Sequence, residues 1–187
     1  MNSNLDLGTI AADHIDAIGD IVRGIKPTRE LVSLSFKFSE LTVEGKCSVL
    51  DRLSDTCDER CVSIYSIHLD ATANRLEFLH KFENAKTLRL GGLAYPRLNR
   101  PPPELSDDCL YVGTSRKTHK RLAEHLGYGN DKTYALHLGK WTDALVGGIE
   151  IGVNEYDLSY DHRGHLTHLE DALARDLRPM LGRRGNL

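Results

Sequence analysis

Residues 111–126 read Tyr-Val-Gly-Thr-Ser-Arg-Lys-Thr-His-Lys-Arg-Leu-Ala-Glu-His-Leu. The segment opens as a strand, because Cys-Leu-Tyr-Val-Gly at 109–113 is rich in β-formers, and then changes to helical spacing. Ser115 suits an N-cap and Gly127 suits a stop, so the spacing predicts a helix to about Leu126. Arg121 and His125 are four residues apart and share one helix face, and Lys117 lies four residues before Arg121 on that face. A strand that carries a phenol therefore runs straight into a helix that carries a guanidinium and an imidazole.

The flanking text builds a mixed α+β layout around that unit. Cys-Val-Ser-Ile-Tyr-Ser-Ile-His-Leu at 61–69 alternates like a strand and places Ser63-Ile64-Tyr65 in it. A helix is expected over 71–85 with Leu76, Leu79 and Phe82 on one face. Residues 91–104 read as irregular because of Gly91-Gly92, Pro96 and Pro101-Pro102-Pro103. Residues 133–141 are ambiguous, with Tyr134 and Trp141 expected in the core, and 144–156 read as a strand. A last helix is expected from about 166 to 177, with Leu166, Leu169, Leu173 and Leu177 as its stripe and Pro179 as its stop. Upstream, Thr9 caps a helical run of Ile10, Ile15, Ile18, Ile21, Val22 and Ile25, and Pro27 ends it. Residues 1–60 thus read as a mainly helical accessory layer or dimer surface, and 61–187 as a domain with a small antiparallel or mixed sheet flanked by helices.

Charge locates the site more narrowly than composition does. The 187 residues hold 24 basic and 27 acidic side chains, a net of −3, which excludes a histone-like binder driven by overall positive charge. The acidity is concentrated in residues 1–60, with 7 basic and 11 acidic side chains. Residues 110–140 are locally basic, with Arg116, Lys117, Lys120, Arg121, Lys132 and Lys140 against Glu124 and Asp131. No apolar run reaches membrane-spanning length and residues 1–25 lack a secretory pattern, so a cytoplasmic protein with no membrane partner is expected. Cys47, Cys57, Cys61 and Cys109 contain no C-x-x-C pair and read as free thiols.

Tyr65, Tyr111, Arg121, His125 and Glu170 form a set able to cleave a phosphodiester. Glu170 flanks the apolar stripe of the last helix, at the core's edge, where a carboxylate can hold a divalent ion with waters completing its shell. A phenol or imidazole can deprotonate attacking water, and the arginine can stabilise a pentacovalent phosphate. Taken singly, each has a plainer reading: strand tyrosines pack, and helix Arg, His and Glu are commonly solvated.

The ordered set resembles the GIY-YIG nuclease superfamily. Ser63-Ile64-Tyr65 stands for the first motif and Tyr111-Val112-Gly113 for the second, with Arg121 ten residues after Tyr111. Residues 169–186, from Leu-Glu-Asp-Ala-Leu to the closing Gly-Asn, are similar to the family's metal-binding Glu helix and following segment. The resemblance covers residues 61–186 except about 70–108, which stands as an insertion of the kind restriction-type members carry. Ser63 departs from the family's first glycine.

The resemblance implies a GIY-YIG nuclease fold and a metal-dependent DNA endonuclease, possessing one Mg²⁺- or Mn²⁺-like ion and acting on duplex DNA, with a homodimer expected for a restriction-type enzyme. It implies that Tyr65 positions or deprotonates the water, and that Tyr111 binds the scissile phosphate or supports Tyr65. Arg121 would neutralise transition-state charge, and His125 would shuttle a proton or ligate phosphate. Glu170 would be the protein ligand of the metal, with Asn186 supporting it. Arg116, Lys117 and Lys120 form a basic face that either follows a phosphate backbone or serves solubility. The insertion's Arg89, Arg97 and Arg100 either touch DNA or belong to a surface loop. Two other outcomes on the same fold are a binding or regulatory module without turnover and a toxin-like nuclease effector. His162, His165 and His168 invite a zinc reading, but Gly164 interrupts any common face, and a polar helix entry accounts for them. Gly147-Gly148 reads as a turn or bulge, not a phosphate cradle.

Overall fold

A computed structural model describes residues 32–56, 61–88, 92–99, 108–156 and 163–182. Four strands pair into one sheet: β1 (Val32–Lys37) and β4 (Gly148–Tyr156), in which buried side chains alternate with less buried ones, and β2 (Val62–Leu69) and β3 (Cys109–Ser115), which are buried on both faces over part of their length. Their order is β1-β4-β2-β3, and each pairing is antiparallel. Four helices accompany them: α1 (Lys46–Thr56), α2 (Arg75–Thr87), α3 (Thr118–Leu126) and α4 (Arg163–Leu177). The α+β class and helix-flanked sheet match the expectation. None of the described helices is long and apolar enough to cross a membrane.

The sheet reaches across the expected boundary at residue 60. β1 pairs with β4, and Phe36, Phe38, Leu41, Val49 and Leu53 lie in the same core as Ile67, Leu122 and Ile151. This part of the expected accessory layer therefore supplies an edge strand and core side chains, because Leu34 and Phe36 are buried only when β1 lies on β4. The helix expected over residues 10–25 lies outside the described residues.

One sheet face carries most of the core, and α4 covers the other. On the first face, Tyr65, Ile67, Leu110, Ile151 and Val153 meet side chains from α1, α2 and α3. On the second, Cys109 and Val112 meet Leu173, Ala174 and Leu177 of α4. That division follows from strand alternation interrupted by a register shift at Ile67/His68: it leaves Leu110 unpaired in β3, so Cys109 and Val112 share the second face although three residues apart. It puts the chemistry-bearing tyrosines with α3 and Glu170 with α4.

The insertion after β2 is part of this core. Asn74 caps α2 by accepting from the Glu77 N–H at 3.1 Å. The buried face of α2 is Phe78, Phe82 and Ala85, with Phe78 and Phe82 packed on Trp141 at ring separations of 5.0 and 5.7 Å. Leu76, expected on that face, is 65% exposed, since the helix turns its two phenylalanines towards the indole. Trp141 is buried as expected. Tyr134 is the reverse case: the residue is 70% exposed, and its carbonyl accepts from Arg121.

Residues 179–182 cover the outer edge of β3. The Met180 N–H donates to the Cys109 carbonyl at 2.9 Å and the Leu181 N–H to that of Leu110 at 3.0 Å. From the insertion, the Asn99 N–H donates to the Met180 carbonyl at 2.9 Å, and Leu98 bridges Leu181. An edge strand's unpaired groups are thereby satisfied within the chain.

Candidate active site

Gly113 makes room for the two tyrosines. It pairs directly with Tyr65 across β2 and β3, and Tyr111 pairs with Ile67 one step further on. A Cβ at Gly113 would stand 2.6 Å from the Tyr65 hydroxyl and 2.8 Å from Tyr111 Cε1, so only hydrogen fits there. The two rings consequently lie nearly parallel on the same face, 6.2 Å apart. Gly182, with a φ of 99°, comes close to the other side of the Tyr111 ring, where a Cβ would stand 2.8 Å from Cε2.

α3 brings the guanidinium and imidazole to these phenols. Its start is tied to β2, because the Thr118 hydroxyl donates to Ser63 Oγ at 2.8 Å. Its end is Gly127, left-handed at φ 98°. Lys117, not Ser115, occupies the N-cap position, while the Ser115 side chain accepts from the Lys117 N–H at 3.0 Å. Arg121 is clamped: Nη1 donates to Glu124 Oε2 at 2.9 Å, and Nη2 donates to the Tyr134 carbonyl at 2.6 Å and to the Tyr111 hydroxyl at 3.5 Å. Burial favours losing its proton, but Tyr65, Glu124 and Tyr111 outweigh that and hold it cationic.

His125 lies wholly inside, with both ring nitrogens occupied. The Leu136 N–H donates to Nδ1 at 3.2 Å, so the neutral ring carries its hydrogen on Nε2, which faces the Tyr65 hydroxyl at 3.2 Å. Burial first, then Arg121 and His137, push the imidazole well below its ordinary pKa and keep it neutral. Its reach is to Tyr65 and the backbone. A phosphate at the surface has no open path to it in this conformation. Burial, reinforced by Tyr111, likewise pushes the Tyr65 phenol far above its usual range, with Arg121 opposing. Of the four groups on this face, Tyr111 and Arg121 are partly exposed.

Glu170 reaches the same end of the sheet from the opposite face. The Thr114 hydroxyl donates to its Oε2 at 2.6 Å, and Thr114 directly follows Gly113 in β3. The carboxylate also acts on the Tyr65 phenol through space, raising its pKa. One half-buried carboxylate held by a hydroxyl fits a hard divalent ion that retains most of its waters. Among the described residues no three His, Cys, Asp or Glu side chains gather as a cage, so Glu170 would hold such an ion alone.

The other predicted positions separate. Arg116, Lys117 and Lys120 are exposed at the start of α3. Asn186 and His162 lie outside the described residues, as does the side chain of His165, and His168 is exposed on α4. Gly147, at φ 97°, makes a turn before β4. Thr114, Glu124, Tyr134 and Leu136 join the site without having been expected. The i, i+3 spacing of Arg121 and Glu124 offered a signal for one of them. The backbone groups of Tyr134 and Leu136 offered none.

Comparison with protein-family models, curated proteins and solved structures finds no match for this chain.

Proposed function

We propose that the protein is a metal-dependent DNA endonuclease of GIY-YIG type, hydrolysing phosphodiester bonds by water attack and acting as a restriction-type enzyme. The observation that carries this reading is the convergence of Tyr65, Tyr111, Arg121 and His125 on one sheet face, with Glu170 bonded to Thr114 at the same end. Structural packing requires none of these groups to be a guanidinium beside two phenols.

In this reading Arg121 and Tyr111 receive the scissile phosphate, because they are the partly exposed donors. The clamp on Arg121 holds its charge in place before substrate arrives, so little reorganisation accompanies the build-up of negative charge on phosphorus. Tyr65 is a neutral phenol behind them, buried and oriented by His125, and it supports the Tyr111 ring and the Arg121 guanidinium from inside. His125 is a positioning residue, acting through Tyr65. The water oxygen forms the new P–O bond, the bridging P–O bond breaks, the water loses a proton to solvent and the leaving oxygen gains one. A divalent ion on Glu170 would supply Lewis-acid charge neutralisation.

One observation favours the second reading, a nucleic-acid-binding module without turnover. Tyr65 and His125 are 1% and 0% exposed, so a substrate reaches only the outer half of the set. The deciding experiment incubates purified protein with supercoiled plasmid and Mg²⁺ or Mn²⁺, beside Glu170→Gln and Arg121→Ala. Nicking by wild type that both substitutions abolish supports the nuclease. Equal nicking by wild type and Glu170→Gln contradicts the assigned mechanism. A salt-dependent DNA shift with no cleavage establishes the binding module.

A further inference from the structure

An open groove runs between α2 and residues 92–98, with His80, Lys86, Arg97 and Tyr134 among its lining. Two backbone connections tie its walls to the candidate site. The Tyr134 carbonyl accepts from Arg121 Nη2 at 2.6 Å while the exposed Tyr134 ring stands in the groove. On the opposite wall, the Arg97 carbonyl accepts from the Gly182 N–H at 2.8 Å, and Gly182 abuts the Tyr111 ring. The groove therefore begins where the phosphate-facing pair Arg121 and Tyr111 ends.

Its charge is arranged for an anion. Lys86 Nζ donates to the Pro96 carbonyl at 2.9 Å and lies 5.9 Å from the Phe82 ring centre, which holds the ammonium at the wall. Burial first, and then the exposed Arg97 nearby, disfavour protonation of Lys86, with Glu83 opposing them. Two neighbouring cations on a groove wall are unfavourable by themselves and are relieved by a bound polyanion. Glu83 is the one carboxylate among the described lining residues. Phosphates spaced along a backbone can meet Arg97 and Lys86 while an exposed phenol donates to a third.

We propose that this groove takes the sugar–phosphate backbone of duplex DNA to one side of the bond held at Arg121 and Tyr111. The proposal rests on the nuclease reading for the location of that bond, and it gives the insertion a substrate-binding role.

The test measures binding apart from cleavage, by fluorescence anisotropy of a short labelled duplex with EDTA present, across a salt series. Arg97→Ala is expected to weaken binding on the order of five- to tenfold and to reduce the salt slope by about 1. Arg97→Glu is expected to weaken it further. Lys46→Ala, which removes an exposed cation of α1 outside the groove, is expected to bind as wild type. Thermal melts establish that each variant is folded. If both Arg97 variants bind as wild type while wild type cuts plasmid, the groove assignment is overturned and the nuclease reading stands. If binding depends on Arg97 and no plasmid is cut, the groove role stands and the nuclease reading falls. Wild type that neither binds nor cuts overturns both, and an Arg97-dependent preference for single-stranded RNA overturns the duplex assignment.

Discussion

The Tyr65 hydroxyl lies 3.2 Å from Nε2 of His125, whose Nδ1 accepts the Leu136 N–H at 3.2 Å. The backbone of residue 136 thus dictates the imidazole tautomer, and the tautomer dictates that Tyr65 receives a hydrogen bond from the ring. Burial of both rings makes the pair neutral, so it orients and does not carry charge.

Stability should decline in mild acid because of His125. Its folded-state pKa is depressed below 6.5, whereas in the unfolded chain it takes up a proton near that value. Its stabilising contribution is complete above pH 6.5 and is lost as the pH falls towards the folded pKa, because the unfolded state then binds the extra proton. Urea midpoints followed from about pH 7.5 to about pH 5 should fall, and His125→Gln should flatten that part of the curve. A wild-type curve flat over this interval would contradict the neutral buried ring.

Gly113→Ala should displace the Tyr65 hydroxyl. The added methyl would stand 2.6 Å from that oxygen, and overpacking of this kind costs about 1–3 kcal/mol. A lowered melting temperature together with loss of plasmid nicking is expected. An unchanged melt would show that the rings separate freely.

Glu124→Gln tests the clamp on Arg121. It removes the charged partner of Nη1 while leaving the Tyr134 carbonyl and Tyr111 in place. Plasmid nicking should fall about tenfold, or roughly 1.4 kcal/mol in barrier, against about a hundredfold or more for Arg121→Ala. Activity equal to wild type in Glu124→Gln would mean that the backbone carbonyl alone holds the guanidinium.

Asp70 supplies an acid-sensitive turn after β2. Burial opposes its ionisation, but its carboxylate accepts from Lys37 Nζ at 2.7 Å and from the Thr72 N–H and hydroxyl at 2.9 and 2.7 Å, and its pKa falls to about 2. The stabilisation is present above the unfolded value of about 3.9 and is lost as the pH falls through about 2. Asp70→Asn should lower stability by about 1 kcal/mol at neutral pH and remove this part of the acid transition, as read by urea melts.

Much of the fold was legible because its signals are local. Helical spacing with Gly127 placed the end of α3, and alternation in residues 61–69 and 109–113 placed β2 and β3, since backbone geometry imposes periods of 3.6 and 2 on any chain. The register was not legible: nothing in the text pairs Tyr65 with Gly113 or β1 with β4. The inward face of α2 is not legible for the same reason, because Phe78 and Phe82 turn to meet Trp141, a residue from another segment.

By itself, the sequence determined which chemical groups exist and their spacing along each element: Arg121 and His125 one helical turn apart, Tyr111 and Gly113 on one strand face. Only the tertiary structure decided their states. Neutrality of His125 comes from burial and the Leu136 N–H, the fixed guanidinium from Glu124 and the Tyr134 carbonyl, and the link from Glu170 to the tyrosines from Thr114. The physical reason is that spacing is a covalent property, whereas tautomer, pKa and charge placement depend on desolvation and on partners brought close through space.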